Sequence, residues 1–270
     1  MVNYIKRFWQ FLSEVANQRR TIVQLTKNDF RSRYVGSFLG IAWAFIQPAC
    51  TIMVLWFVFE VGFRTGPVQD CPYVLWLMAG LLPWNFFSDS LSNATNSVLE
   101  HNYLVKKVVF RVSILPIVKI CSSLIVHVLF ISIMFILLSI YYQPPSIYNF
   151  QIFYYLLLTS IFVLGLSWLT SSVVVFIRDL GQLIMIFLQF GFWLTPIFWS
   201  LNIVPEKYRF LIRLNPCYYL IEGYRNTFVT HHWFWEDMPL TIYFFAITTL
   251  LFLIGATVFM RLKPHFADVI

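Results

Sequence analysis

The chain has 270 residues, of which 59% are hydrophobic and 11% charged, with a mean hydropathy of +0.73. Soluble domains carry about 25% charged residues, and a globule this apolar would expose patches that soluble proteins avoid, so a water-soluble enzyme is excluded. The net charge of +7 does not point to nucleic acid, because the basic residues flank apolar runs and leave no basic soluble face.

Before the first apolar run, Tyr4, Ile5, Phe8, Trp9, Phe11, Leu12 and Val15 recur at helical spacing. The spacing predicts an amphipathic helix over residues 3–18, lying in the membrane interface with its Trp and Phe among headgroups. A short helix packed on other protein fits the same pattern. No cleavable signal peptide is expected, since the first apolar run begins near residue 38 and is too long for an h-region.

A membrane-crossing helix needs roughly 20 apolar residues, and six runs qualify: 38–59, 73–92, 114–142, 152–177, 183–204 and 240–260. The second turns polar after Pro83, with Asn85, Ser88 and Asp89, and the fifth contains Pro196. The alternation of a membrane β-barrel is absent, so the expected fold is an all-α polytopic membrane protein with six spans. Loops on the side of the N-terminus hold 13 Lys and Arg, the opposite loops 5; cytoplasmic loops carry the positive excess, so both termini are expected in the cytoplasm, beside anionic lipid.

Ionisable groups within spans are costly and mark function by default. Lys119 and His127 lie eight residues apart on one helix face; the simplest expectation is that Lys119 snorkels to the interface. Glu60 and Arg64 have the spacing of a helical ion pair. Asp89 stands among Asn85, Ser88, Ser90, Ser92, Asn93 and Asn96, which suits either a solvated helix end or the wall of a polar path. Two aromatic series, Trp84 with Phe87 and Phe192 with Trp199, follow helical spacing. They suit an interface belt, helix packing, or ring faces along a sugar conduit. On the conduit reading, Trp84, Phe87, Ser88, Phe192, Trp193 and Trp199 are candidate lining residues.

Signatures of catalysis are missing: there is no phosphate-binding glycine loop, no HExxH and no GxSxG. The four cysteines, Cys50, Cys71, Cys121 and Cys217, have neither zinc spacing nor a disulfide pattern. His231 and His232 lack a nearby third ligand, and nothing fixes Glu222 against Glu236 as an acid/base pair. Neither a metal nor a cofactor is expected in this chain. Any ATP that drives it must bind elsewhere.

Between the second and third spans, residues 98–108 form an amphipathic cytoplasmic segment, either a basic lipid anchor or a stiff element that receives force from a partner. Several motifs here resemble one family. They are YVGSFLGIAWAFIQPACTIMVLWFVFEVGF at 34–63, LWLMAGLLPWNFF at 75–87, LVKKVVFRVSILPI at 104–117, LTPIFWS at 194–200, LNPCYYLIEGYRN at 214–226 and the tail LKPHFADVI. In this order they resemble the permease subunit of type-2 ABC exporters, above all its polysaccharide, O-antigen and teichoic-acid branch.

The resemblance implies a homodimer in the bacterial inner membrane, docked on two cytoplasmic ATPase subunits that hold ATP and Mg, exporting a lipid-linked glycan. It implies an interface helix at 3–18, a coupling helix at 98–108 with Glu100, Tyr103 and Lys107 facing the ATPase, and partly re-entrant outer helices within 205–238. An exporter of drugs or small lipids has the same architecture. A membrane-embedded glycosyl- or acyltransferase would instead use Glu206, Glu222, His231, His232, Glu236 and Asp237.

Overall fold

The computed structural model describes residues 2–34, 38–64, 66–68, 71–105, 110–141 and 145–269. Among them the chain is helical, with no strand and one isolated bridge between Val68 and Cys71. In order the helices are α1 (Val2–Asn17), α2 (Arg19–Tyr34), α3 (Trp43–Trp56), α4 (Tyr73–Glu100), α5 (Asn102–Val105), α6 (Leu115–Ile140), α7 (Gln151–Val173), α8 (Leu180–Leu194), α9 (Glu206–Arg213), α10 (Pro216–Arg225), α11 (Met238–Leu262) and α12 (Phe266–Val269). Helix α3 widens into a π turn at Phe57–Gly62, and α10 into another at Asn226–Thr230.

Among the described residues four helical stretches are long and apolar enough to cross a membrane: Gly40–Gly62, Val112–Ile140, Ile147–Val173 and Met238–Val269. The chain is therefore a polytopic membrane protein. Helix α4 has 28 residues, roughly 42 Å at 1.5 Å per residue, with a polar second half. Helix α8 has only 15, roughly 22 Å, and stops ten residues before the end of the run read from sequence. The cause is local: Thr195 precedes Pro196, whose ring disfavours helical geometry in the residue before it, and Thr195 is extended with ψ 139°.

Helix α4 occupies the centre, with Trp76, Leu77, Phe86 and Leu91 buried against α6, α7 and α10. Helices α7 and α11 meet where side chains are absent. A Cβ on Gly165 would lie 2.7 Å from the Phe252 backbone, and one on Gly255 2.0 Å from the Gly165 carbonyl oxygen. Small residues of this kind let helix backbones approach within lipid, where burial of apolar surface gives no drive.

The two chain ends share one pole. Phe11 of α1 packs edge-on to Trp168 at 5.1 Å and beside Phe259 at 6.4 Å, and Phe259 meets Phe266 at 5.5 Å. At the other pole Asn149 donates to the Thr227 carbonyl at 2.8 Å. Two helical stretches lack cover on much of their surface: Met53 of α3 with Phe57 of its π turn, and Leu183, Phe187, Phe190 and Leu194 of α8, are exposed. Glu60 and Arg64 do not share a helical turn. The chain leaves the helix at Phe63, and Arg64 takes a φ of +52°.

Candidate functional site

At the pole of the chain ends, five charged side chains form a continuous series. The Lys119 ammonium donates to Asp29 Oδ1 at 2.6 Å and pairs with Glu100 Oε2 at 2.7 Å. Asp29 also holds Arg33 at 3.1 Å, and Arg33 reaches Asp89 Oδ2 at 3.3 Å. Asp29 and Arg33 are one turn apart on α2, so the helix itself spaces them for pairing. Burial would raise the Asp29 pKa, but the hydrogen bond from Lys119 and the charges of Arg33 and Lys119 outweigh it and hold the carboxyl below its ordinary value. Lys119 does not snorkel to water. Its side chain is buried, and the ion pairs with α2 and the end of α4 satisfy it.

Asp89 belongs to this series and also to a cavity of about 790 Å³ between α3, α4, α6 and α8. Helical spacing sets the wall: Asn85, Ser88, Asp89 and Ser92 recur along one stripe of α4 and all line it. Ser123 donates a short hydrogen bond to Asp89, and Asn93 donates to its other oxygen at 2.8 Å. Gln47 and Thr51 of α3 and Gln182 and Gln189 of α8 add amides and a hydroxyl. Interleaved with them are Trp43, Trp84, Phe86, Phe130 and Phe192. The wall thus combines aromatic faces with short polar groups.

Deeper in the fold, His127 shares a 2.8 Å hydrogen bond with the Tyr224 hydroxyl and stacks on Phe86 at 4.8 Å. Its neighbour on α10, Arg225, is 1% exposed. The guanidinium lies 3.5 Å from the Trp76 ring centre, donates to Glu222 at 2.7 Å and donates to the Ile197 carbonyl at 2.6 Å. It pins α10 to α4 and to the bend after α8. Gly80 makes the space, since a Cβ there would sit 2.9 Å from Arg225 Nη2.

Residues 20–229 match the family described as ABC-2 type transporter. The chain belongs to that family. Among similar proteins, an O-antigen export system permease protein RfbA of Klebsiella pneumoniae is 28% identical over 250 residues, 92% of this chain and 94% of its own. A Myxococcus xanthus protein of the same name is 25% identical over 270 residues, 99% of each. The polysialic acid transport protein KpsM of Escherichia coli is 23% identical over 215 residues, 76% of this chain and 80% of its own.

In this ABC-2 transporter chain, three of the six aromatic and serine positions read from sequence, Trp84, Ser88 and Phe192, line the cavity between α3, α4, α6 and α8. Phe87 points elsewhere, stacked on Phe162 of α7 at 5.6 Å. Trp193 is exposed on α8 and packs edge-on to Phe198 at 4.9 Å, and Trp199 donates to the Trp193 carbonyl at 3.2 Å. Glu100 ends α4, and Tyr103 stands exposed on the single turn of α5. Lys107 lies outside the described residues. His232 pairs with Glu236 at 2.7 Å, and among the described residues no three His, Cys, Asp or Glu converge as a metal site requires. Sequence reading passed over Asp29, Arg33 and Arg225. The Asp29–Arg33 spacing was a visible signal; the partners in α4 and α6 were not.

Proposed function

We propose that this chain is the membrane subunit of an ATP-driven exporter that carries polysaccharide outward across the bacterial inner membrane. The observation that carries the substrate class is similarity along 92% and 99% of the chain to O-antigen export permeases. The cavity supports it. A glycan leaving water loses hydrogen bonds at about 2–7 kcal/mol per unpaired polar group. Aromatic faces, amides and hydroxyls on one wall offset that loss without gripping any single sugar.

On this reading the membrane is crossed six times, by Gly40–Gly62, α4, α6, α7, α8 with its bend, and α11, while α9 and α10 re-enter from the outer side. The 13-to-5 bias of Lys and Arg puts the pole of the chain ends in the cytoplasm, with α1 in the interface. Two copies pair through the bare faces of α3 and α8, so that Trp193 and Trp199 extend the aromatic lining toward the seam. Two ATPase subunits, holding ATP and Mg, dock on residues 98–108 through Glu100, Tyr103 and Lys107. Motion there reaches the cavity along Glu100, Lys119, Asp29, Arg33 and Asp89.

Deletion of the gene, with complementation by wild type or Glu100→Lys, tests the reading. Surface polysaccharide should vanish on deletion and return with wild type only, while the Glu100→Lys protein still inserts in the membrane. Unchanged surface polysaccharide in the deletion strain refutes the substrate class. Full export by Glu100→Lys refutes the coupling role.

A further inference from the structure

A second cavity, about 350 Å³, opens at the pole opposite the chain ends, between α7, α10 and the turn that leads into α11. One part of its wall is aromatic, formed by Tyr155, Trp233 and Phe234, and the other is acidic, with Glu222, Glu236 and Asp237. The series described above does not reach it.

The turn that carries the aromatic face is built rigidly. His231 takes a left-handed φ of +58°, a geometry that non-glycine residues hold only where surrounding contacts enforce it. Gln151 supplies those contacts from α7: its amide donates to the His232 carbonyl and accepts from the Phe234 N–H, each at 2.8 Å. Glu236 accepts the Trp233 N–H at 2.8 Å and a hydrogen bond from His232 at 2.7 Å. Those two donors hold its carboxyl below the usual range, so it is an acceptor at neutral pH. Trp233 stacks on Trp235 at 4.6 Å with 8° between planes, which fixes its ring further.

A preformed cleft of this size, with aromatic planes on one side and carboxyl groups on the other, fits a ring that has C–H faces and hydroxyl edges. Ring faces attract the positive C–H surface of a sugar, and carboxylates, which only accept, suit hydroxyl donors. The volume lies at the low end of small-molecule clefts, room for one or two sugar units. We propose that this cleft is an outer binding site for a sugar unit of the exported polymer, separate from the cavity between α3, α4, α6 and α8. The proposal rests on the polysaccharide reading for its ligand class.

The test is saturation-transfer NMR on the purified full-length protein in detergent, with methyl α-mannoside, methyl β-galactoside and methyl N-acetylglucosaminide as probes. At least one glycoside should give transfer from the protein. Trp233→Ala should weaken its binding roughly threefold to tenfold, the worth of one aromatic face, and Trp233→Phe should restore most of it. Glu236→Gln, at an exposed position that keeps an acceptor for the Trp233 N–H, should weaken it by about tenfold. Absence of transfer from all three glycosides overturns the proposal, as does transfer that both variants leave unchanged. Each of these failures leaves the export reading standing, because surface polysaccharide in the deletion strain decides that reading alone.

Discussion

Replacing Lys119 with Met removes the charge that joins Glu100 to Asp29 in the five-residue series and keeps most of the side-chain volume. The ammonium meets Asp29 at 2.6 Å and Glu100 at 2.7 Å, with side-chain exposures of 8% for the lysine, 5% for Asp29 and 48% for Glu100. Breaking a buried ion pair by removing one partner costs about 3–5 kcal/mol when the remaining charge is stranded. Here Glu100 turns to water, and Asp29 keeps Arg33 at 3.1 Å, so the expected loss is smaller, about 2–3 kcal/mol. For a chain of this size each kcal/mol lowers the melting temperature by about 2–4 °C, and a fall of roughly 5–10 °C is expected. The assay is thermal unfolding of the purified subunit in detergent, followed by tryptophan emission, for Lys119→Met, Asp29→Asn and the pair together. The double variant should be less damaged than the two losses added, with an interaction of about 1–3 kcal/mol. Acid supplies a second check. The Asp29 pKa is lowered in the fold from 3.8, so its stabilising contribution is complete above that value and is lost only as pH falls through the lower folded one. A Lys119→Met protein that melts within about 1 °C of wild type, with additive losses in the pair, would refute the claim that the series holds α2 to α4 and α6.

Gly80→Ala should lower the melting temperature and reduce export, since its Cβ would lie 2.9 Å from Arg225 Nη2 and 3.1 Å from the Ile197 carbonyl oxygen; overpacking of this kind costs about 1–3 kcal/mol, and unaltered melting would show that the Arg225 pin gives way freely. At the cavity, Trp84→Phe keeps a ring face and Trp84→Leu fills similar volume without one, so export should be roughly twofold to tenfold lower in the leucine variant while basal ATP hydrolysis by the complex is equal in the two. Equal export would make Trp84 a packing residue.

What the sequence disclosed divides along a physical line. Apolar runs are a local quantity, and they sufficed for an all-helical polytopic protein. The polar stripe of α4 was legible too, because helical spacing alone gathers Asn85, Ser88, Asp89 and Ser92 on one side. The neighbours of that stripe were not. Lys119 read as a snorkelling cation because its partners lie 90 positions away in Asp29 and 19 away in Glu100. Phe87 shares the spacing of Trp84, yet its ring turns to Phe162 on α7, since residues three apart on a helix point about 60° from each other. The bend after α8 was not legible, because the apolar run continues past Thr195 and Pro196 whereas the helix ends at Leu194.

Helix α4 connects these observations mechanically. Its N-terminal half is held by Trp76 beneath the Arg225 guanidinium, which also donates to the Ile197 carbonyl. Its C-terminal half is held by Asp89 and Glu100 within the charged series. Pro83 lies between them inside the helix, where its missing N–H removes the bond to the Ala79 carbonyl and its ring crowds that carbonyl. The residue after it is Trp84, the first of the cavity wall on this helix. On the coupling proposed above, a displacement applied at Glu100 would meet the ion-paired C-terminal half, then the turn weakened by Pro83, then the anchored N-terminal half. Bending would concentrate at that turn, moving the aromatic face at the cavity while Arg225 keeps α10 on the N-terminal half of α4.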